Sequence, residues 1–195
     1  MALLRAASPS DLGPVIESEH VVLRTPQMAD YPAWAGLRAG SRDFLTPWEP
    51  IWAADELSRA SFRRRIRHYL RDLREDVGYA LFIFSSATDE LVGGLTLCNV
   101  RRGVTQSCTL GYWIGAGYAN QGYMTEAVRA VIPFVFDSLE LHRLEAACLP
   151  SNTASMRLLE KTRFKREGLA RRYLRINGVW QDHLLYALLD SDARP

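Results

Sequence analysis

Apolar positions recur along this chain with two periods, one near 2 and one near 3.6, and the points where one gives way to the other mark its elements. The β-branched run HVVLRT at 20–25 predicts a first strand, and Asp30 to Ala39 predicts a helix. FLTPWEP at 44–50 carries two prolines around Trp48, which predicts a loop ahead of a second helix over about 55–75. Strands are predicted over about 79–85, 91–99 and 106–115. From Gly122 to about Leu139 the residues Ala127, Val128, Val131, Ile132, Phe134, Val135 and Leu139 cover most of a helical cylinder, so this helix should be buried. Its polar strip is Glu126, Arg129, Pro133, Asp137 and Glu140. Pro133 removes one main-chain bond there, but the freed carbonyl of Arg129 can take water, so a mild kink is expected rather than a break. HRLEAACL at 142–149 predicts a strand, and 153–162 a last helix. RRYLRI and VWQDHLLYALL, joined by Asn177-Gly178, predict a hairpin whose turn needs positive φ at both positions. Residues 1–18 read as a loose lead-in.

The resulting order is strand, two helices, three meandering strands, helix, strand, helix, hairpin. That predicts an α/β or α+β layered domain, a mixed sheet with helices on its faces. The unit from 106 to 149 should be a right-handed crossover with its ligand at the C-terminal end of the first strand. A chain of 195 residues, 48% apolar and 24% charged, suits a single domain spanning 1–195. The net charge of +2 is too small to argue for a nucleic-acid partner. Arg59, Arg63, Arg64, Arg65, Arg67, Arg71 and Arg74 crowd one predicted helix and read as a solvated face, with docking of an acidic partner as the alternative. Cys98, Cys108 and Cys148 form no CxxC pair and read as small buried thiols in a reducing compartment. MALLRAASPSDLG has no long uncharged core, so neither a signal peptide nor a membrane span is expected, and the location expected is cytoplasmic.

The most informative stretch is LGYWIGAGYANQGYMTEA at 110–127. A strand feeding a helix through a small-residue loop points free N–H groups and the positive end of a helix dipole at one spot, which suits an anion. No lysine or arginine lies between Arg102 and Arg129, so such an anion would be held by main chain. On the loop alone, an ordinary glycine turn is an equal reading. His20, His68 and His142 show no metal-ligand spacing, and no zinc or P-loop motif is present.

The order of elements, the loop GYANQGYMTEAV at 117–128 and PSNTASMRLLEKTRF at 150–164 resemble the GNAT superfamily of acyl-CoA-dependent N-acyltransferases. Within it the chain is most similar to the RimJ/RimL type of ribosomal-protein N-terminal acetyltransferase. LHRLEAACLPSN and YLRINGVWQDHLLYALL add to the likeness, which covers roughly residues 20–189. The resemblance implies a mostly antiparallel central sheet of about seven strands, about four flanking helices, and central parallel strands that splay apart. It implies acetyl-CoA as cosubstrate and no metal. The family's pyrophosphate loop, Q/R-x-x-G-x-G/A, falls on Ala119, Asn120, Gln121, Gly122, Tyr123 and Met124, where only Gly122 matches in full. Backbone donors survive side-chain changes where φ and ψ are kept, so Asn120 to Thr125 is still expected to bind. Trp113, Ile114 and Gly115 are expected to offer backbone hydrogen bonds to the pantetheine arm, with a core role as the alternative for the Trp113 ring. By resemblance Asn152 contacts the cofactor arm and Ser155 donates a proton to the departing sulfur; locally, Ser151 or Asn152 is equally a helix N-cap. Many relatives carry a tyrosine at the place of Leu159, and its absence here adds weight to Ser155.

Amide formation from a thioester needs a neutral amine, donors for the developing oxyanion and a proton for the sulfur. An α-amine of pKa about 7.7 to 8.0 is on the order of a tenth neutral at pH 7, against less than about one part in a thousand for a lysine amine. An N-terminal acceptor therefore needs little help from a base. Glu145 and Glu49 are the candidate bases; the competing readings are an ion pair with Arg143 or another arginine for Glu145, and ammonium orientation or plain exposure for Glu49. Asp182 and His183 read as hairpin or core polar residues. The cysteines match no family nucleophile, so transfer should be direct. The resemblance implies a protein N-terminus as acceptor, a ribosomal protein among the candidates. The rivals are a polyamine or aminoglycoside acetyltransferase, for which Asp43, Glu49, Asp55 and Glu56 could form an acidic cleft, and a catalytically idle acyl-CoA-binding module. Neither a membrane nor direct nucleic-acid contact is expected.

Overall fold

The computed structural model describes residues 3–5 and 13–195. Nine strands form one sheet: β1 (Leu3–Arg5), β2 (Val15–Glu17), β3 (Val21–Arg24), β4 (Tyr79–Ser85), β5 (Leu91–Arg101), β6 (Ser107–Ile114), β7 (Arg143–Cys148), β8 (Lys165–Ile176) and β9 (Val179–Leu189). Their spatial order is β1-β2-β3-β4-β5-β6-β7-β9-β8. Every pairing is antiparallel except β6 with β7. The helices are α1 (Tyr31–Gly40), α2 (Arg42–Leu45), α3 (Arg59–Arg74), α4 (Tyr123–Pro133) and α5 (Thr153–Lys161). No helix among the described residues is long and apolar enough to cross a membrane.

The alternation of β4 shows how the layers form. Leu81 and Ile83 point into a cluster with Val128, Val131 and Leu159 from α4 and α5, while Phe82 and Phe84 meet Trp34, Phe62 and Ile66 from α1 and α3. One pair of helices therefore covers each face of the sheet. Helix starts follow local chemistry: Ser58 caps α3 through the Ser61 N–H at 3.1 Å, and Asn152 caps α5 through the Ser155 N–H at 3.0 Å.

The expected mixed, mostly antiparallel sheet is present, with corrections in detail. The loose lead-in expected over 1–18 lies partly outside the described residues; within it, β1 and β2 extend the sheet beyond β3, because extended backbone beside an open edge pairs with it. The loop expected at 44–50 is partly helical, with α2 followed by a 3-10 turn over Thr46–Trp48. Pro47 sits in the first turn, where its missing N–H costs nothing. The helix after Gly122 is α-helical only to Pro133 and continues as a π turn, Phe134–Ser138, closed by the Leu139 N–H on the Phe134 carbonyl at 2.9 Å. Pro133 cannot donate to Arg129, and the bonding shifts by one residue beyond it. The hairpin strand β8 begins at Lys165, earlier than its apolar pattern suggests, and Asn177 and Gly178 hold φ of 43° and 80° in the turn.

Candidate active site

The site is built where the one parallel pair comes apart. β6 and β7 pair only over Ser107–Leu110 and Arg143–Ala146, after which β6 runs on to Ile114 and β7 to Cys148 without each other. The Gly115 N–H donates to Val92 at 2.8 Å, and its carbonyl accepts from Tyr118 at 2.9 Å. Because main-chain groups alternate sides in an antiparallel pair, Trp113 then faces Gly94 on β5, while Tyr112 and Ile114 present theirs to the gap. Of the three residues expected to offer backbone bonds, Ile114 is so placed. Gly115 is already bonded, and Trp113 lies with its ring edge-on to Phe82, as a core aromatic would.

A cavity of about 610 Å³ opens at this gap. Ala119, Asn120, Gly122, Met124 and Thr125 line one wall. Gly122 sits at the N-cap of α4 with φ 92°, and no side chain caps this helix end. Among the described residues the N–H groups of Gly122, Tyr123, Met124 and Thr125 donate to no protein acceptor. Gln121 and Tyr123 stay outside the lining. The Gln121 amide braces the loop by donating to the Gly117 carbonyl at 2.6 Å, and the Tyr123 ring meets Tyr118 edge-on. Glu126 anchors the helix start to β3 by accepting from the His20 N–H at 2.7 Å and lying 2.9 Å from its ring. Burial works against that carboxylate, but the hydrogen bonds from His20 and Ser18 outweigh it and hold Glu126 below the usual carboxylate range. Arg157 and Lys161, one turn apart on α5, supply the cavity with cations that the loop lacks. These two were legible only as surface residues, since nothing local in the sequence says that α5 faces the loop.

Opposite stand Asn152 and Ser155. The Asn152 carbonyl oxygen is taken up by the cap, and Ser155 is buried with its Oγ 2.6 Å from the Tyr112 hydroxyl. Burial pushes the Tyr112 phenol above the ordinary tyrosine range, with the Ser155 contact opposing it. Tyr112 escaped sequence reasoning. The available signal was its spacing of two from Ile114, which sets both on one side of β6.

The two candidate bases part company. Glu49 lines the cavity, but both its oxygens are engaged: Arg38 donates to them at 2.9 and 2.5 Å and the Trp52 indole at 2.7 Å. Arg38 is itself buried between the Trp52 and Trp113 rings, 4.4 and 5.0 Å from their centroids. Glu145 does not reach the cavity. On β7 it pairs with Arg143 at 2.8 Å and Arg101 at 3.1 Å, and Arg143 goes on to Glu167. Its register opposite Thr109 puts it back where the strands are still joined. Asp55 and Glu56 are also paired, with Arg64 and Arg65 at 2.5 Å each. Among the described residues no group of three or more His, Cys, Asp or Glu side chains is placed to hold a metal.

The residues that meet here fit a long anionic ligand with an amide-bearing arm: uncapped amides and two cations at one end, an open strand edge along the gap, and hydroxyls at the far end. A family model described as an acetyltransferase (GNAT) domain matches residues 20–165. A probable N-acetyltransferase of Bacillus subtilis, YjcK, is 37% identical over 91% of this chain and 98% of its own length. A ribosomal protein uS5-alanine N-acetyltransferase of Escherichia coli is 33% identical over 85% of this chain and 87% of its own length. The solved structure of Mycobacterium smegmatis RimJ, in complex with CoA-disulfide, is 32% identical, covers 91% of this chain and 83% of its own, and superposes with a TM-score of 0.82.

Proposed function

The chain belongs to the GNAT acetyltransferase family, and on that premise we propose that it transfers the acetyl group of acetyl-CoA directly to the N-terminal α-amine of a protein. When bound, the cosubstrate supplies an activated thioester carbonyl. The amides of Gly122 to Thr125 hold its pyrophosphate at the positive end of α4, with Arg157 and Lys161 adding charge. The main chain at Ile114 pairs with the pantetheine arm as a further strand would. Ser155, in the first turn of α5, donates the proton that the leaving sulfur takes up.

The observation that carries the choice of acceptor is the neutralised acceptor wall. A polyamine site needs free carboxylates, yet Glu49, Asp55 and Glu56 each hold an arginine. The same wall exposes Phe44 and Trp48 to the cavity, surfaces suited to the first side chains of a peptide. The names of the uS5-alanine enzyme of E. coli and of the ribosomal-protein-S5-alanine acetyltransferase of Vibrio fischeri make ribosomal proteins the first acceptors to try.

A thiol-release assay should give turnover with peptides beginning Ala, Ser or Met, lost when the α-amine is blocked, and none above background with spermidine. Higher kcat/KM for spermidine than for every peptide would overturn the protein acceptor. Failure to bind acetyl-CoA by calorimetry would overturn acetyl transfer itself.

A further inference from the structure

We propose that Tyr112 is a positioning residue for proton delivery, fixing the direction of the Ser155 hydroxyl so that its hydrogen points into the cavity. The inference rests on the acetyl-transfer reading of the site. Its basis is the 2.6 Å contact between Tyr112 Oη and Ser155 Oγ, both side chains lining the same cavity at the gap between β6 and β7.

A hydroxyl rotor can donate only one hydrogen, and what it accepts decides where that hydrogen goes. Of the two groups the phenol is the stronger acid, so it donates and the serine oxygen accepts. Among the described residues Ser155 Oγ has no other hydrogen-bond partner, which leaves its own hydrogen free for the cavity. The backbone is fixed as well: the Ser155 N–H is held by Asn152, and Ser155 is only 8% exposed, so neither the chain nor the rotamer has room to wander. The serine lies in the first turn of α5, where the helix end favours the negative charge that builds as a carbon–sulfur bond breaks.

A serine alone is a poor acid, and Tyr112 removes that difficulty. As the bond breaks, Ser155 gives its proton to the sulfur and takes the phenol's in the same motion, so that no alkoxide persists. The phenol recovers a proton from water in the open cavity, matching the one that the attacking amine sheds on forming the amide. Protons and charge therefore balance without a further reagent.

The test is a double-mutant cycle of Tyr112→Phe, Ser155→Ala and the pair, read three ways. Turnover should fall roughly tenfold in each single variant and no further in the double. Calorimetric affinity for desulfo-CoA and KM for acetyl-CoA should stay within about twofold of the parent. Denaturant midpoints of the ligand-free proteins should be non-additive, which reads the hydrogen bond independently of activity. Wild-type turnover in Tyr112→Phe, multiplying losses, or additive midpoints would each overturn the assignment while leaving acetyl transfer standing. A wild-type protein that neither binds acetyl-CoA nor acetylates any amine would overturn the underlying reading, and this one with it.

Discussion

Gly122 shows how one residue sets the pyrophosphate site. Its φ of 92° lies where L side chains are strained, yet a Cβ built there meets nothing within 4 Å. Torsion, then, and not space, demands glycine, and the strain for another residue is about 1–2 kcal/mol. Gly122→Ala should either lose about that much stability or let the loop relax and turn its amides, weakening acetyl-CoA binding by roughly tenfold. Gly117→Ala is the matched control, since its Cβ also meets open space but its φ is not positive; it should change stability by less than about 0.5 kcal/mol. Calorimetry and denaturation of the two variants separate torsion from volume, and equal effects would refute the account. At this scale the sequence was legible where a residue type has one dominant use, as with glycine at a turn or Asn152 at a helix start. It was opaque for Tyr112, Arg157 and Lys161, whose roles arise when β6, α5 and the loop after β6 meet, which no spacing along the chain records.

Between elements, the acceptor wall depends on a strut. Arg38 on α1 grips Glu49 in the segment after α2, and the Glu49 carbonyl in turn accepts from the Asn177 N–H at the hairpin tip at 2.8 Å. Gly178 completes the fit: a Cβ there would lie 2.8 Å from Ile51 Cδ1. Helix, loop and hairpin are thus fastened in series. Breaking a buried ion pair from one side costs about 3–5 kcal/mol, and because Glu49 keeps some access to water, Arg38→Ala should fall at the lower end. Hydrogen exchange at the Asn177 amide should quicken in that variant, and acceptor KM should rise more than acetyl-CoA affinity falls. An unchanged Asn177 amide would show that the strut and the hairpin are independent. The hairpin itself was legible, because Asn-Gly between apolar runs has few alternatives. The three-residue strands β1 and β2 and the four-residue α2 were not, since they are shorter than the periods by which elements are recognised. The π turn after Pro133 was half legible: the missing N–H was visible in the sequence, but the direction in which the ladder would shift depends on Leu139 packing into the core.

For the molecule as a whole, stability should form a plateau in pH whose two edges have different causes. On the acid side Glu126, held below its ordinary 4.5 against its burial by the bonds from His20 and Ser18, loses protons more readily folded than unfolded. The unfolded chain then binds more protons, so stability rises with pH through the carboxylate range and is lost as pH falls below about 4.5. Asp137, Glu167 and Asp192 are lowered too, by Arg194, Arg143 and Lys165, but they are largely exposed and add little. On the alkaline side the sign reverses. Burial pushes the Cys108 thiol from 9.0 to about 12, so the folded protein keeps a proton that the unfolded chain releases. Its contribution is complete below about pH 9 and drains away as pH climbs toward 12, and the buried phenols of Tyr79 and Tyr112 act in the same direction. Urea midpoints of the ligand-free protein should accordingly be flat from about pH 5 to 9 and fall on both sides. Cys108→Ala should lower the plateau through lost packing yet flatten the alkaline fall, and Glu126→Gln should flatten the acid one. Parallel curves for the parent and Cys108→Ala above pH 9 would mean that the thiol is not held protonated by burial at the β6–β7 junction, where the strands are still joined before the site opens.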